Sequence, residues 1–228
     1  MRHTPNAIMM FAAGLGTRMG ALTQDKPKPM IEVAGKPLLQ HALDIVDEVA
    51  PSTVVVNTHY RGEQIADYLQ DRPITISHES PTLLDTGGGL KHALPYLGPE
   101  PVFTMNTDAV WSGENPLTQL ARAWNPDVMD ALLLVVPLQN AVGHTGAGDF
   151  ALSPDDRLKR GQGFVYTGVQ ILRTEGLITI AEPVFSLNLL WDSMLVDERI
   201  YGLVHQGKWC DVGHPGGIAL AEQMLADV

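Results

Sequence analysis

Short, wholly apolar runs alternate with amphipathic segments from Ala7 to Leu138, and that alternation restricts the fold more than any other feature. Ala7–Ala13 is an apolar run stopped by Gly14, the pattern of a strand buried on both faces. Leu38, Leu39, Ala42, Leu43, Val46 and Val49 then recur at helical spacing, and Pro51 closes that helix. "STVVVNTH", "ITISHE", "PVFTMNTD" and "ALLLVVPL" read as further strands. "GEQIADYLQD", "GGGLKHALPYLG" (ended at Pro95–Gly98) and "PLTQLARAW" read as the helices between them. Strands without a polar face, alternating with helices, predict an α/β fold whose mostly parallel sheet is covered on both sides. Ligands of such sheets bind at the carboxyl ends of the strands. The Gly14 loop, His59 and the Asn106–Asp108 turn all fall at those ends.

From about Ala141 the pattern changes. "GHTGAGDFAL", "RLKRGQG" and "FVYTGVQILR" predict strands and loops without long helices, hence a smaller β-rich lobe added to the same sheet. A last strand near Lys208–Asp211 leads into a final helix opened by Pro215, with Ile218, Ala221 and Leu225 facing inward. No stretch reads as a linker, so residues 1–228 are expected to form one domain.

The formal net charge of −11 argues against nucleic acid as a partner, because such binders present basic surfaces. No apolar run approaches the roughly 20 residues a membrane span needs, and the N-terminal apolar run is too short for a signal peptide. One cysteine, Cys210, rules out an internal disulfide framework and reads as a buried thiol. A cytoplasmic location is the expectation, and the sequence does not specify an oligomeric state. What positive charge exists is clustered: Arg2, Arg18, Lys26, Lys28 and Lys36 within the first 40 residues face only Asp25 and Glu32. That suits a small anionic ligand.

The anion loop is "AAGLGTRMGALTQDKPKPM". A Walker A loop fails, since Met19 stands where the second Gly belongs and no Lys-Ser/Thr follows. A dinucleotide fingerprint fits Gly14 and Gly16 but meets Met19 again, and the prolines that follow exclude an immediate helix. Two glycines alone fit an ordinary strand-to-loop turn equally well. Arg18 and Lys28 change the balance: backbone N–H groups can approach a polyphosphate while two cations neutralise it.

"AAGLGTRM", "PKPMIEVAGKPLL", "NTD" and "WCDVGH", in that order, resemble the sugar-1-phosphate nucleotidyltransferase family. The resemblance spans nearly the whole chain. It implies a three-layer αβα, Rossmann-like fold of the nucleotide-diphospho-sugar transferase type. It also implies Mg²⁺-dependent joining of a nucleoside triphosphate to a sugar 1-phosphate with release of pyrophosphate. On this reading residues 1–140 form a nucleotide-binding lobe, 141–210 a sugar-phosphate lobe and 211–228 a closing helix. The backbone at Ala13, Gly14, Gly16 and Thr17 wraps the phosphates, Arg18 holds the leaving pyrophosphate and Lys28 contacts the α-phosphate. "DTGGGL" (Asp85–Leu90) matches the base-reading segment, with Gly88 as its contact. Asn106, Gly148, Thr167 and Gly168 match positions lining the sugar phosphate, and Asp108 and Asp211 match the two metal ligands.

The chemistry agrees with those residue types. Phosphoryl-type transfer asks for positioning and charge neutralisation, and Mg²⁺ is commonly held by one or two carboxylates plus substrate phosphates. A strand-end Asp alone would more often be a cap or turn residue. Asp149 fits a sugar contact or a turn cap, and Lys159 and Arg160 fit a phosphate contact or a solvated pair. His59, His144 and His214 lack metal-ligand spacing and read as hydrogen-bonding residues. The chain departs from the family at Thr107 (commonly Gly), Ala21 (commonly Pro) and His214 (often Thr). "DTGGGL", "HTGAGDF" and "GKWCDVGH" resemble "ETGGG", "GDF" and "HWVDVG" of N-acetylmuramic acid 1-phosphate uridylyltransferases, which implies UTP and N-acetylmuramate 1-phosphate. A mannose-1-phosphate guanylyltransferase is the alternative. A non-catalytic nucleotide-sugar sensor predicts lost charges, yet Arg18, Lys28, Asp108 and Asp211 are present; a D-x-D glycosyltransferase fails at Val110.

Overall fold

The computed structural model of the protein describes residues 4–227. Arg2, part of the basic N-terminal cluster, lies outside the described residues. In chain order β1 (Ala7–Phe11), β2 (Glu32–Val33), β3 (Lys36–Pro37), α1 (Leu38–Val49), β4 (Thr53–Thr58), α2 (Gly62–Leu69), β5 (Thr75–His78), α3 (Asp85–Leu97), β6 (Val102–Asn106), β7 (Ala109–Trp111), α4 (Pro116–Ala123) and β8 (Ala131–Pro137) make the first part. Then follow β9 (Ala141–Val142), β10 (Phe150–Leu152), β11 (Leu158–Arg160), β12 (Phe164–Leu172), α5 (Asn188–Val196), β13 (Ile200–Val204), β14 (Trp209–Asp211) and α6 (Pro215–Ala226). Among the described residues nine strands form the main sheet, along the path β11-β10-β12-β6-β1-β4-β5, with β8 beside β12 and β13 beside β8. β5, β4, β1 and β6 run parallel, as do β8 and β13. Only β12 and β11 are reversed, so the sheet is mostly parallel as expected.

The pleat decides which residue meets which layer. Ala7 and Met9 of β1 point into one cluster with Leu90 and Ala93 of α3 and Leu190 and Trp191 of α5. Ile8 and Met10 point the other way, toward Leu39, Ala42 and Leu43 of α1, Ile65 of α2 and Leu117 and Leu120 of α4. This is the three-layer arrangement. A strand interior that is apolar at every position is required to satisfy both layers, because successive side chains alternate between faces. Each such side chain contributes about 1.5–3 kcal/mol on burial.

The second half departs from the expected β-rich pattern. Residues 188–196 form α5, with Leu190, Trp191 and Met194 buried, and β13 returns to the main sheet beside β8. Exposed Leu189 and Val196 interleave with buried Leu190, Trp191 and Met194, which blurs the helical face in the sequence. The strand expected near Lys208–Asp211 is β14, but it belongs to a separate three-stranded sheet, β7-β14-β9. α6 opens at Pro215 as expected and buries Ala221 and Met224 against Met19, Val110 and Cys210.

Candidate active site

The loop after β1 is folded by short 3₁₀ turns at Thr17–Thr23 and Lys28–Met30, which explains why no α-helix starts inside it. Gly16 has φ +66°, and a Cβ there would come within 2.8 Å of Thr23 Cγ2 and 3.0 Å of Lys28 Cβ. The loop therefore closes on itself only with glycine at this position. Thr23 Oγ1 donates to the Gly16 carbonyl (3.0 Å), and Tyr60 Oη donates to the Thr23 and Gln24 carbonyls (3.0 Å each). Met19 is buried and anchors the turn, which leaves Arg18 exposed at its rim.

A cavity of about 200 Å³ opens beside this loop at the carboxyl ends of β1, β4 and β6. Ala12, Ala13, Gly14 and Lys28 line one side, Asn106, Thr107 and Asp108 the floor, and Leu83, Asp85 and Thr86 the opposite side. The edge inferred from strand ends is thus a real one. Gly16 and Thr17 do not line the cavity; they shape the turn above it.

Four charged residues gather at the metal end. Lys28, with its side chain 9% exposed, places Nζ 2.7 Å from Asp108 Oδ2. Asp211 arrives from the small sheet: β14 pairs β7 with Asp211 opposite Ala109, and Val212 N–H donates to the Asp108 carbonyl (2.9 Å). Gly213 leaves space between Asp211 and Arg18, since a Cβ there would stand 2.6 Å from Asp211 Oδ2 and 3.3 Å from Arg18 Nη1. Burial, and next the charge of Asp108, push the Asp211 carboxyl above the usual carboxylate range, while Lys28, Arg18 and His214 oppose that rise. Among the described residues Asp211 has no ion-pair partner, whereas Asp108 has Lys28.

These residues fit a divalent cation. Two neighbouring carboxylates, one of them half-buried and unpaired, are a hard-oxygen donor set whose mutual repulsion a cation would relieve. Among the described residues no group of three or more His, Cys, Asp and Glu side chains forms a closed metal cage. A two-carboxylate site leaves room for phosphate oxygens and water, as Mg²⁺ prefers.

Several expected contacts lie elsewhere. Gly88 sits inside α3 with its N–H donating to the Phe185 carbonyl (3.0 Å), and a Cβ there would meet the Pro183 carbonyl oxygen at 2.4 Å. It is a packing glycine; Leu83, Asp85 and Thr86 of the same segment line the cavity instead. Thr167 is turned into the sheet, donating from Oγ1 to the Leu134 carbonyl (2.7 Å). Gly148 backs onto Gly163 and Phe164, away from the cavity. Gly168 packs beneath Asn106, which lines the cavity: its φ is +81°, and a Cβ would stand 2.7 Å from Asn106 Nδ2. Asp149 accepts from Tyr166 N–H of β12 (2.8 Å), a contact between segments far apart in the chain and not a local turn cap.

Arg160 pairs with Asp192 and Asn188 and lies over the Phe150 and Trp191 rings, so it is a packed surface pair. Lys159 is exposed. His59 Nδ1 hydrogen-bonds the Glu79 carbonyl (2.8 Å), a structural role as expected. His144 is exposed near Gly146, and His214 stands at the N-terminal end of α6 within the field of Asp211. The Thr107 hydroxyl donates to the Phe11 carbonyl (2.7 Å), so it ties β1 to β6 and is not free for substrate. Cys210 is fully buried, and burial pushes its thiol up to about 11. Two polar residues with no expected role are buried here, Asn57 in the cavity wall and Glu79 behind it. Asn57 interrupts the apolar run "VVVNT", which is the one trace of them in the sequence.

Known proteins place the chain. The pattern described as the MobA-like NTP transferase domain matches residues 8–156. An N-acetylmuramate alpha-1-phosphate uridylyltransferase of Caulobacter vibrioides is 38% identical over the full length of both chains. Its counterpart from Neisseria meningitidis is 34% identical, covering 90% of this chain and 92% of that protein. HddC from Yersinia pseudotuberculosis, solved with GMP-PN, shares the fold with a TM-score of 0.77 at 21% identity, over 96% of this chain and 99% of that one. No described helix is long and apolar enough to cross a membrane. With a glycine loop, two cations and two carboxylates meeting at the carboxyl edge of a three-layer sheet, the chain belongs to the MobA-like NTP transferase family, as an enzyme of the sugar-1-phosphate nucleotidyltransferase group.

Proposed function

We propose that the protein uses Mg²⁺ to transfer a uridylyl group from UTP to N-acetylmuramate 1-phosphate, giving UDP-N-acetylmuramate and pyrophosphate. The observation that carries the reaction type is the meeting of Arg18, Lys28, Asp108 and Asp211 beside the cavity under the glycine loop. Full-length similarity to two uridylyltransferases supports the choice of substrates. A product of that kind suits peptidoglycan recycling in the cytoplasm.

The sugar phosphate oxygen attacks the α-phosphorus of UTP, and the bond to the bridging oxygen of pyrophosphate breaks, its electron pair leaving with pyrophosphate. The nucleophile is already ionised near neutral pH, so no residue needs to act as a base. Backbone groups at Ala13 and Gly14 form the phosphate side of the cavity, and Gly16 and Thr17 shape the turn above it, from which their N–H groups would reach the outer phosphates. Lys28, anchored near Asp108, is within the cavity wall to neutralise the α-phosphate. Arg18, exposed on the rim, receives the leaving pyrophosphate. Asp108 and Asp211 would hold Mg²⁺, which when bound screens the two phosphate groups from each other. Leu83, Asp85 and Thr86 face the base. Asn106, supported by Gly168, faces the sugar phosphate, so the 1–140 lobe carries the nucleotide side and also a sugar-phosphate contact, and the 141–210 lobe supports that contact from below.

The test is pyrophosphate release by the purified protein with Mg²⁺, each of the four NTPs and a panel of sugar 1-phosphates. UTP with N-acetylmuramate 1-phosphate should be turned over fastest. Preference for GTP with mannose 1-phosphate would replace the uridylyl assignment. No turnover with any pair would sink catalysis and favour a nucleotide-sugar sensor.

A further inference from the structure

Glu79 follows β5, is 1% exposed, and lies behind the cavity lining, where its two carboxylate oxygens take different partners. Asn57 Nδ2 donates to Oε1 (2.7 Å), and Leu84 N–H donates to Oε2 (2.7 Å). Asn57 in turn uses Oδ1 to accept from Ala12 N–H (2.7 Å), just past the end of β1. Gly89 makes room for this arrangement, since a Cβ there would stand 2.5 Å from Glu79 Oε1 and 3.0 Å from Asn57 Nδ2. A single carboxylate therefore links the Ala12–Gly14 wall to the Leu83–Leu84 segment that leads into Asp85 and Thr86, the first residues of α3. The donor and acceptor order is strict: N–H of Ala12 to oxygen, amide N–H₂ to oxygen, and Leu84 N–H to oxygen. Buried groups of this sort lose far more from a mispaired partner than they gain from a good one.

We propose that Glu79 is a positioning residue for the nucleotide, holding the phosphate wall and the base wall at a fixed separation through Asn57 and Leu84. This rests on the reading that the cavity takes a nucleoside triphosphate. Asn106 and Gly168, on the sugar side, have no part in the network, so its loss falls on the nucleotide.

The polarity of the network supplies its own test. In Glu79→Gln one of the two carboxylate oxygens becomes an N–H₂ donor, facing either the Asn57 amide or Leu84 N–H. If Asn57 flips to accept from it, the flipped N–H₂ faces Ala12 N–H, so the mismatch is moved and not removed. In Asn57→Asp two carboxylates face each other. In the double variant Glu79→Gln with Asn57→Asp, the introduced amide donates to the introduced carboxylate, which still accepts from Ala12 N–H, and every donor has an acceptor again. Each single variant should weaken UTP binding, measured without sugar phosphate, and raise the UTP KM by about tenfold or more. The KM for the sugar 1-phosphate should stay within about twofold and the double variant should return to within about threefold of the wild type. A double variant no better than the worse single one overturns the proposal. So does a single variant that fails to fold or loses both substrates alike, because the network is then general support. Should the wild type prefer another NTP, the same measurements with that nucleotide test Glu79, so a failed uridylyl assignment remains distinguishable.

Discussion

The nine-stranded sheet and the three-stranded sheet each bring one carboxylate to the site, and they bring it in different electrostatic states. Asp108, just past β6 of the large sheet, is neutralised by Lys28 at 2.7 Å. Asp211, the last residue of β14 in the small sheet, is partly buried beside Asp108, with no ion-pair partner among the described residues. The first is a folded-state ion pair; the second is a stored repulsion. The contrast teaches that two residues of one type in one site can have opposite effects on stability while serving one reaction.

Substitution by Asn separates these effects. Both Asp108→Asn and Asp211→Asn should reduce turnover by about 100-fold or more, since each removes one of the two anionic oxygen ligands proposed for Mg²⁺. Their melting temperatures should diverge. Asp108→Asn leaves the Lys28 ammonium buried without its partner and costs about 1–3 kcal/mol. Asp211→Asn removes a desolvated like charge and should leave the protein as stable as the wild type or more so. Mg²⁺ should raise the melting temperature of the wild type and not of Asp211→Asn. Equal melting losses in the two variants would end the distinction.

A moderate effect is expected where the reversed strand β12 supports the floor of the site. Gly168→Ala forces a left-handed conformation on alanine and drives its Cβ to within 2.7 Å of Asn106 Nδ2. It should cost about 1–2 kcal/mol and raise the sugar 1-phosphate KM more than the UTP KM. A larger effect on UTP would place Asn106 on the nucleotide side.

The smallest effect lies at the seam of the two sheets. His205 follows β13 of the large sheet, and its Nε2 donates to the carbonyl of Ser112, which follows β7 of the small one (2.9 Å). Its Nδ1 accepts from the Gln119 amide (2.8 Å), so the ring is held neutral. Burial lowers its pKa from the ordinary 6.5, against opposing contributions from the Ser112 carbonyl and Glu114. A folded value below the unfolded one means the contribution is complete above pH 6.5 and fades as pH falls through the folded value. The melting temperature of the wild type should therefore drop more steeply than that of His205→Gln on acidification below pH 6.5. Parallel curves would show that this histidine is not responsible.

Much of the parallel half was legible. α1 was readable to the residue at its end, because amphipathic spacing and a following proline are local signals. Cys210 as a buried thiol and the pairing of Arg18 with Lys28 near the glycine loop came from the residues, whereas Asp108 and Asp211 came from the family resemblance. α5 did not, since its exposed apolar residues blur the helical face. Gly88, Gly148 and Thr167 were assigned to substrate on motif position, yet they meet Pro183, Phe164 and Leu134. A motif records that a position is constrained, and packing constrains a glycine as firmly as a ligand does.

By itself the sequence determined the layering, the carboxyl-edge site and the inventory of charges, because hydrophobic period, loop chemistry and residue type are local properties. Only the tertiary structure decided the partners: that Lys28 meets Asp108 while Asp211 stands unpaired, and that Glu79 reaches Ala12 through Asn57. Those pairings join residues far apart in the chain, and strand order and register, which no local pattern encodes, bring them within hydrogen-bond distance.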